Sequence, residues 1–121
     1  MRLTVIAAAA ALALAAPALV VPGAPASAAG KPTQFWNLTG NTIDTLKMSP
    51  AGKNSFGPNQ CANDKDGTVD PDERLKVTGV STGAYDVKFT DKKHRTCEAK
   101  NVAVKEGEVF SLSEKEITCG K

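Results

Sequence analysis

Residues 74–91, RLKVTGVSTGAYDVKFTD, constrain the fold more than any other stretch. In the second half Tyr85, Val87 and Phe89 alternate with Asp86, Lys88 and Thr90. In the first half Leu75 and Val77 alternate with Lys76 and Thr78. Successive side chains of a strand point to opposite faces, so this spacing predicts strands with one buried face and one wet face. Between the halves, Gly79-Val80-Ser81-Thr82-Gly83 has the Gly and Ser/Thr content of a short loop. The expected element is a β-hairpin at the centre of a small sheet protein.

The flanking chain carries the same signals. Residues 34–38, with Phe35 and Trp36, read as a strand, and Thr39-Gly40-Asn41 as a turn. Residues 42–49 are strand-like, with Ile43, Leu46 and Met48 as the apolar set. The step from Ile43 to Leu46 breaks the alternation, which predicts a bulge or a fully buried stretch. Ser49-Pro50-Ala51-Gly52 ends that run, because Pro and Gly punctuate strands. Residues 53–73 are the least regular; a short helical turn near residues 58–62 and a core anchor at Phe56 are the expectations there.

After the charged turn DKKHR at residues 91–95, residues 96–104 form the next strand. Its apolar positions change phase, from Cys97 and Ala99 to Val102 and Val104, and a bulge near Lys100-Asn101 would produce that change. Glu106-Gly107 is a turn, residues 109–113 a strand with Phe110 and Leu112 inward, and residues 114–119 a short strand or single turn. Six or seven short strands without an amphipathic helix predict an all-β fold, a small Ig-like β-sandwich, with a small open barrel as the alternative.

The first residues read as a leader, not as fold. Arg2 precedes an Ala/Leu-rich apolar run that Pro17 interrupts, and Ala26-Ser27-Ala28 supplies a small-residue cleavage site. That order predicts a signal peptide over residues 1–28 and a single small β domain over residues 29–121, secreted or periplasmic and not inserted in the membrane. Of 15 Lys and Arg, Arg2 is the only one in the leader, leaving 14 against 13 acidic residues. So even a balance excludes a dedicated nucleic-acid binder, which needs a basic excess.

An oxidising compartment makes cysteine pairing the default, and the mature chain has Cys61, Cys97 and Cys119. Cys97 opens a strand, Cys119 lies near the C-terminus, and the Glu106-Gly107 turn folds the chain back between them. Cys97–Cys119 is therefore the expected disulfide and Cys61 the free thiol; Cys61–Cys119 is the alternative. No Cys-x-x-Cys spacing is present, which leaves a thioredoxin-like or zinc-ribbon site without support.

One stretch has a chemical motif. With Gly67 at the sixth place of a calcium loop, Asp64, Asp66, Asp70 and Glu73 fall at oxygen-ligand places and Val69 at the apolar eighth. The first place is Ala62, where a carboxylate is needed, and no helices flank the loop. The favoured reading is a solvated turn with no metal or other cofactor; weak calcium binding by Asp64, Asp66, Asp70 and Glu73 is the alternative. His94 sits among Lys and Arg with no nucleophile or orienting acid in context, so it reads as an exposed turn residue. Asn37-Leu38-Thr39 fits an N-glycosylation sequon, discounted here because the Ala-rich leader is of bacterial type. The aromatic residues, Phe89 and Phe110 above all, read as core and not as a ligand groove.

Asn37-Leu38-Thr39-Gly40-Asn41-Thr42-Ile43, Ser49-Pro50-Ala51-Gly52, Ser55-Phe56-Gly57-Pro58, Tyr85-Asp86-Val87-Lys88 and the late Cys97 and Cys119 together resemble a group of small exported bacterial β proteins, mostly uncharacterised. Phe56 departs from the Trp expected there, and the acidic loop around Asp64 is longer than usual. The resemblance implies a β fold and export and transfers no catalytic residue. Two function classes remain: an exported, non-enzymatic binding or structural module presenting loops or a sheet edge to a protein partner, and a calcium-responsive domain using residues 64–73. An enzyme is not expected, because no nucleophile–base–acid set is present.

Overall fold

The computed structural model describes residues 31–120; the leader expected at residues 1–28 lies outside them. Seven strands follow one another: β1 Thr33–Leu38, β2 Ile43–Pro50, β3 Arg74–Val77, β4 Gly83–Asp91, β5 Thr96–Val104, β6 Val109–Ser113 and β7 Thr118–Gly120. They form a three-stranded sheet in the order β3-β1-β6 and a four-stranded sheet in the order β2-β4-β5-β7. The architecture is an all-β sandwich. Two short 3-10 turns, Gln60–Asn63 and Glu114–Glu116, interrupt the strands.

One core lies between the sheets. Phe35, Leu75, Val77, Phe110 and Leu112 enter it from the three-stranded sheet, and Leu46, Met48, Val87, Phe89, Ala99 and Val104 from the other. The Phe35 and Phe110 rings meet with centroids 5.5 Å apart and planes tilted by 47°. Removing each such large side chain from water contributes about 1.5–3 kcal/mol, so the inward halves of the alternating runs drive the assembly.

The expected central hairpin does not form. β3 pairs with β1, whereas β4 pairs with β2 and β5 in the opposite sheet. The link between them crosses the sandwich, with Gly79 at φ +76° and the Ser81 amide donating to the Tyr85 hydroxyl at 2.9 Å. Alternation reports that each strand has one buried face. Two strands facing each other across a core show the same pattern as two strands side by side.

The bulge expected in β5 is present, and of the two alternatives for β2 a bulge forms. In β2, Ile43 pairs with Asp91 and Thr45 with Thr90, so Asp44 is the extra residue and Leu46 returns to the core face. Its carboxylate accepts from the Thr90 hydroxyl at 2.8 Å. In β5, Val87 pairs with Ala99 and Tyr85 with Val102, so Lys100 and Asn101 together oppose Asp86. Asn101 has φ +55°, and its amide donates to the Asp86 carboxylate at 3.1 Å. The second Asp86 oxygen accepts from the Gly52 amide at 3.0 Å. These amides, Gly52 first and then Asn101, hold the Asp86 carboxyl below its usual range.

The irregular segment between β2 and β3 seals one side of the sandwich. The Asn59 side chain accepts from the Leu46 amide on the edge of β2 at 2.9 Å and from the Cys61 amide at 3.0 Å. Gln60 donates to the Thr78 carbonyl at 2.8 Å and accepts from the Thr78 amide at 3.0 Å, as a neighbouring strand would. Asn63 donates to the Lys76 carbonyl at 2.9 Å. Val69 forms an isolated bridge with Ile43. The exposed edges of β2 and β3 are thus occupied by side-chain amides and loop backbone, which blocks pairing with another chain there. Phe56 is not the core anchor expected of it: it is only half-buried, lies outside the core cluster, and carries the Lys88 ammonium 4.7 Å from its ring centroid.

Candidate functional site: an open strand edge

β6 begins after the Glu106-Gly107 turn because Val109, Ser111 and Ser113 alternate with Phe110 and Leu112, whose burial fixes which face is inward. It lies parallel to β1, Gln34 opposite Val109 and Leu38 opposite Ser113, and ends its sheet. The Gln34 amide donates to the Glu108 carbonyl at 3.1 Å. Backbone groups of a strand alternate in direction, so Glu108, Phe110 and Leu112 address β1 while Val109, Ser111 and Ser113 turn their amides and carbonyls away from it. The Ser113 amide is taken by the Glu116 carboxylate at 2.8 Å in a capping box. Among the described residues no strand pairs with the outer edge of β6.

A groove of about 460 Å³ runs along this edge, lined by Ala99, Lys100, Asn101, Val102 and Ala103 of β5, by Val109, Phe110, Ser111 and Leu112 of β6, and by Glu116. β7 covers only residues 96–98 of β5, so the rest of that edge also opens to the groove. The bulge at Lys100-Asn101 bends β5 here, as bulges do at sheet rims. On the adjoining outer face, Leu38 and Val109 are the two exposed large aliphatic residues, at 39% and 41% accessibility. Between them on β1, half-buried Trp36 has the Arg74 guanidinium 4.7 Å from its ring centroid and donates its indole N–H to Asp72 at 3.0 Å. The arrangement can hydrogen-bond one extended backbone and receive every second side chain of it.

The residues singled out in the sequence lie elsewhere. Asp64 accepts from the Asp66 amide at 2.9 Å, Asp70 from the Thr42 hydroxyl at 3.0 Å, and Glu73 from the Asp70 amide at 2.8 Å. Asp64 and Glu73 shape turns, with Gly67 at φ +74°, and Asp70 ties the loop to Thr42; among the described residues no three His, Cys, Asp or Glu side chains converge to hold a metal. His94 is exposed at φ +62° in the β4–β5 turn. The Cys97 and Cys119 sulfurs lie 2.00 Å apart, at disulfide distance, on directly paired positions of β5 and β7. Cys61 is free and buried; burial first, then the Asp44 and Asp64 charges, push its thiol up to about 12. Of β6, the sequence offers only Phe110 as a groove candidate and favours core for it; Phe110 is buried in the core and also lines this groove, because edge status belongs to the sheet order and not to the strand.

The sequon asparagine is also structural. Asn37 is fully buried; its Nδ2 donates to the Asn41 and Val69 carbonyls at 2.9 and 3.0 Å. Its Oδ1 accepts from the Thr39 amide and hydroxyl at 2.9 and 2.7 Å. Asp91 plays a similar part in the β4–β5 turn. It accepts from the Lys93 and Arg95 amides and from the Arg95 guanidinium, which reaches on to Glu114 at 3.1 and 3.2 Å. Burial alone would raise the Asp91 carboxyl; the Arg95 amide and guanidinium outweigh it and hold it below the usual range.

Among the described residues no helix is long and apolar enough to cross a membrane. No family, no curated protein and no solved structure matches the chain.

Proposed function

We propose that this protein is an exported, non-enzymatic binding module that takes an extended polypeptide segment by strand addition to β6. The observation that carries this reading is the asymmetry of the edges. The β2 and β3 edges are filled by Asn59, Gln60, Asn63 and Val69, while Val109 and Ser111 present backbone groups to an open groove. Strand addition draws affinity from main-chain hydrogen bonds and specificity from pockets for alternate side chains, and Phe110 and Leu112 with Ala99 and Val102 supply such a pocket. Export is supported by the Arg2 start, the apolar run and Ala26-Ser27-Ala28.

A displayed peptide library selected on the exported protein tests the binding claim. Selected peptides should slow amide exchange at Val109 and Ser111. Ser111→Pro should abolish binding while Phe110 and Leu112 keep their protection, because proline removes an outward donor and leaves the β1 ladder intact. Protection confined to the loops, or binding unaffected by Ser111→Pro, overturns the reading. Intact mass tests export: the mature protein should begin at Ala29.

A further inference from the structure

We propose that β7 is a displaceable strand. The Cys97–Cys119 bond latches it over one end of the groove, and a dithiol reductant acting on the folded protein releases it. Resting on the strand-addition reading, its release lengthens the edge open to a partner strand. The observation that carries this is the place of β7 in its sheet. It pairs with β5 at three positions, Thr96 with Gly120, Cys97 with Cys119 and Glu98 with Thr118, and among the described residues with no other strand. The same edge of β5 runs on uncovered through residues 99–103, which line the groove. β7 thus already shows that this edge takes an added strand. A second cavity of about 340 Å³, lined by Glu98, Ala99, Lys100, Glu116 and Thr118, shares Ala99, Lys100 and Glu116 with the groove. Thr118 is the one lining residue that β7 supplies, so its departure extends the groove toward Thr96.

The disulfide is the main hold on β7. Thr118 and Gly120 are exposed, and Cys119 alone is half-buried. Ordering three residues costs about as much as a few net hydrogen bonds return, so the crosslink decides whether the strand stays. The chain before it is fixed independently. Glu114 accepts from Arg95 at 3.2 and 3.1 Å, Glu116 caps the Ser113 amide at 2.8 Å, and Ile117 packs against the core. Release is therefore confined to the residues after Ile117. Cys97 is fully buried, so a reductant thiolate meets the Cys119 sulfur first. It attacks Cys119 Sγ and the S–S bond breaks. A mixed disulfide forms at Cys119, and Cys97 leaves as a thiolate that takes up a proton. The second thiol of the reductant attacks the mixed disulfide, frees Cys119 as a thiol and closes the reductant to its own disulfide. The electron pair passes from the dithiol to the cysteine pair.

Amide exchange of the mature protein before and after dithiothreitol tests the release. Without denaturant, iodoacetamide should then alkylate Cys119 but not Cys61. Amides of residues 118–120 should lose protection by about tenfold or more, with Phe35, Val87 and Phe110 unchanged. Cys119→Ser should give the same pattern without reductant. Retained protection at residues 118–120 in reduced protein or in Cys119→Ser overturns the latch. Loss spread to Phe35, Val87 and Phe110 also overturns it, because the bond then staples the whole domain. A synthetic peptide of alternating Val and Thr probes the groove. The reduced protein should bind it about fivefold tighter than the oxidised one, the worth of one net backbone hydrogen bond. It should protect residues 96–98 as well as Val109 and Ser111. Equal binding by both forms, with Val109 and Ser111 protected, overturns the lengthened groove and leaves strand addition standing. No protection of Val109 or Ser111 in either form overturns strand addition, while exchange at residues 118–120 still decides the latch.

Discussion

The side-chain amide of Asn37 donates to the Val69 carbonyl at 3.0 Å, joining positions 32 residues apart. Val69 in turn bridges to Ile43, so one buried amide ties the end of β1, the start of β2 and the acidic loop together. All four hydrogen-bonding positions of the Asn37 side chain are used within the protein. Asn37→Ala should therefore destabilise by about 2–3 kcal/mol, since it leaves buried carbonyls and the Thr39 amide unpaired. Asn37→Asp should be at least as damaging, because it sets a carboxylate oxygen against two carbonyls. Urea unfolding of both variants checks this; loss below about 0.5 kcal/mol, the range of a neutral surface change, contradicts it.

Non-reducing peptide mapping should recover Cys97 crosslinked to Cys119. Cys61 should resist thiol reagents until the protein unfolds, because it is buried and its thiolate is disfavoured. Replacing both paired cysteines by Ala should cost about 3 kcal/mol in the chain-entropy model for a separation of 22 residues. β7 should then lose amide protection first, since it holds β5 over only residues 96–98.

Stability should fall in acid. Asp86, Asp91 and Glu114 all have carboxyls lowered in the folded state, Asp86 chiefly by the Gly52 amide and Glu114 chiefly by the Arg95 guanidinium. A lowered folded value means that the unfolded chain binds protons first as pH drops. Their contribution is complete at neutral pH, begins to decline near the ordinary carboxylate value of about 4, and is lost as pH passes below the folded values. Asp91→Asn should flatten the acid limb of a urea-midpoint profile recorded against pH. An equally steep limb in that variant argues against Asp91 as a contributor.

Calcium should not bind the acidic loop more tightly than roughly millimolar, because Ala62 lacks the first ligand and such loops weaken with each lost charge. The oxygens of Asp64, Asp70 and Glu73 already accept hydrogen bonds from the chain. Calorimetry that found micromolar affinity, abolished by Glu73→Gln, would reverse this expectation.

The local features of the chain are legible in its sequence. The inward faces at Phe35, Phe89, Phe110 and Leu112 follow from alternation, and the phase change from Ala99 to Val102 located a bulge at Lys100-Asn101. The broken spacing from Ile43 to Leu46 leaves a bulge or a fully buried stretch open, and the structure has the bulge. These features depend on neighbours in sequence, which the amino acids specify directly through strand geometry. Strand pairing was not legible in the same way. Leu75 and Val87 alternate alike whether β3 and β4 lie side by side or face each other, and only the assembled sheets separate the two. Nor does the alphabet distinguish an Asn in a sequon from one whose amide fills a gap between distant carbonyls, as Asn37 does. The edge at Val109 and Ser111 is decided last of all: a strand becomes an edge only when every other strand has taken its place, because its free hydrogen-bonding row is defined by the partner it lacks among the described residues.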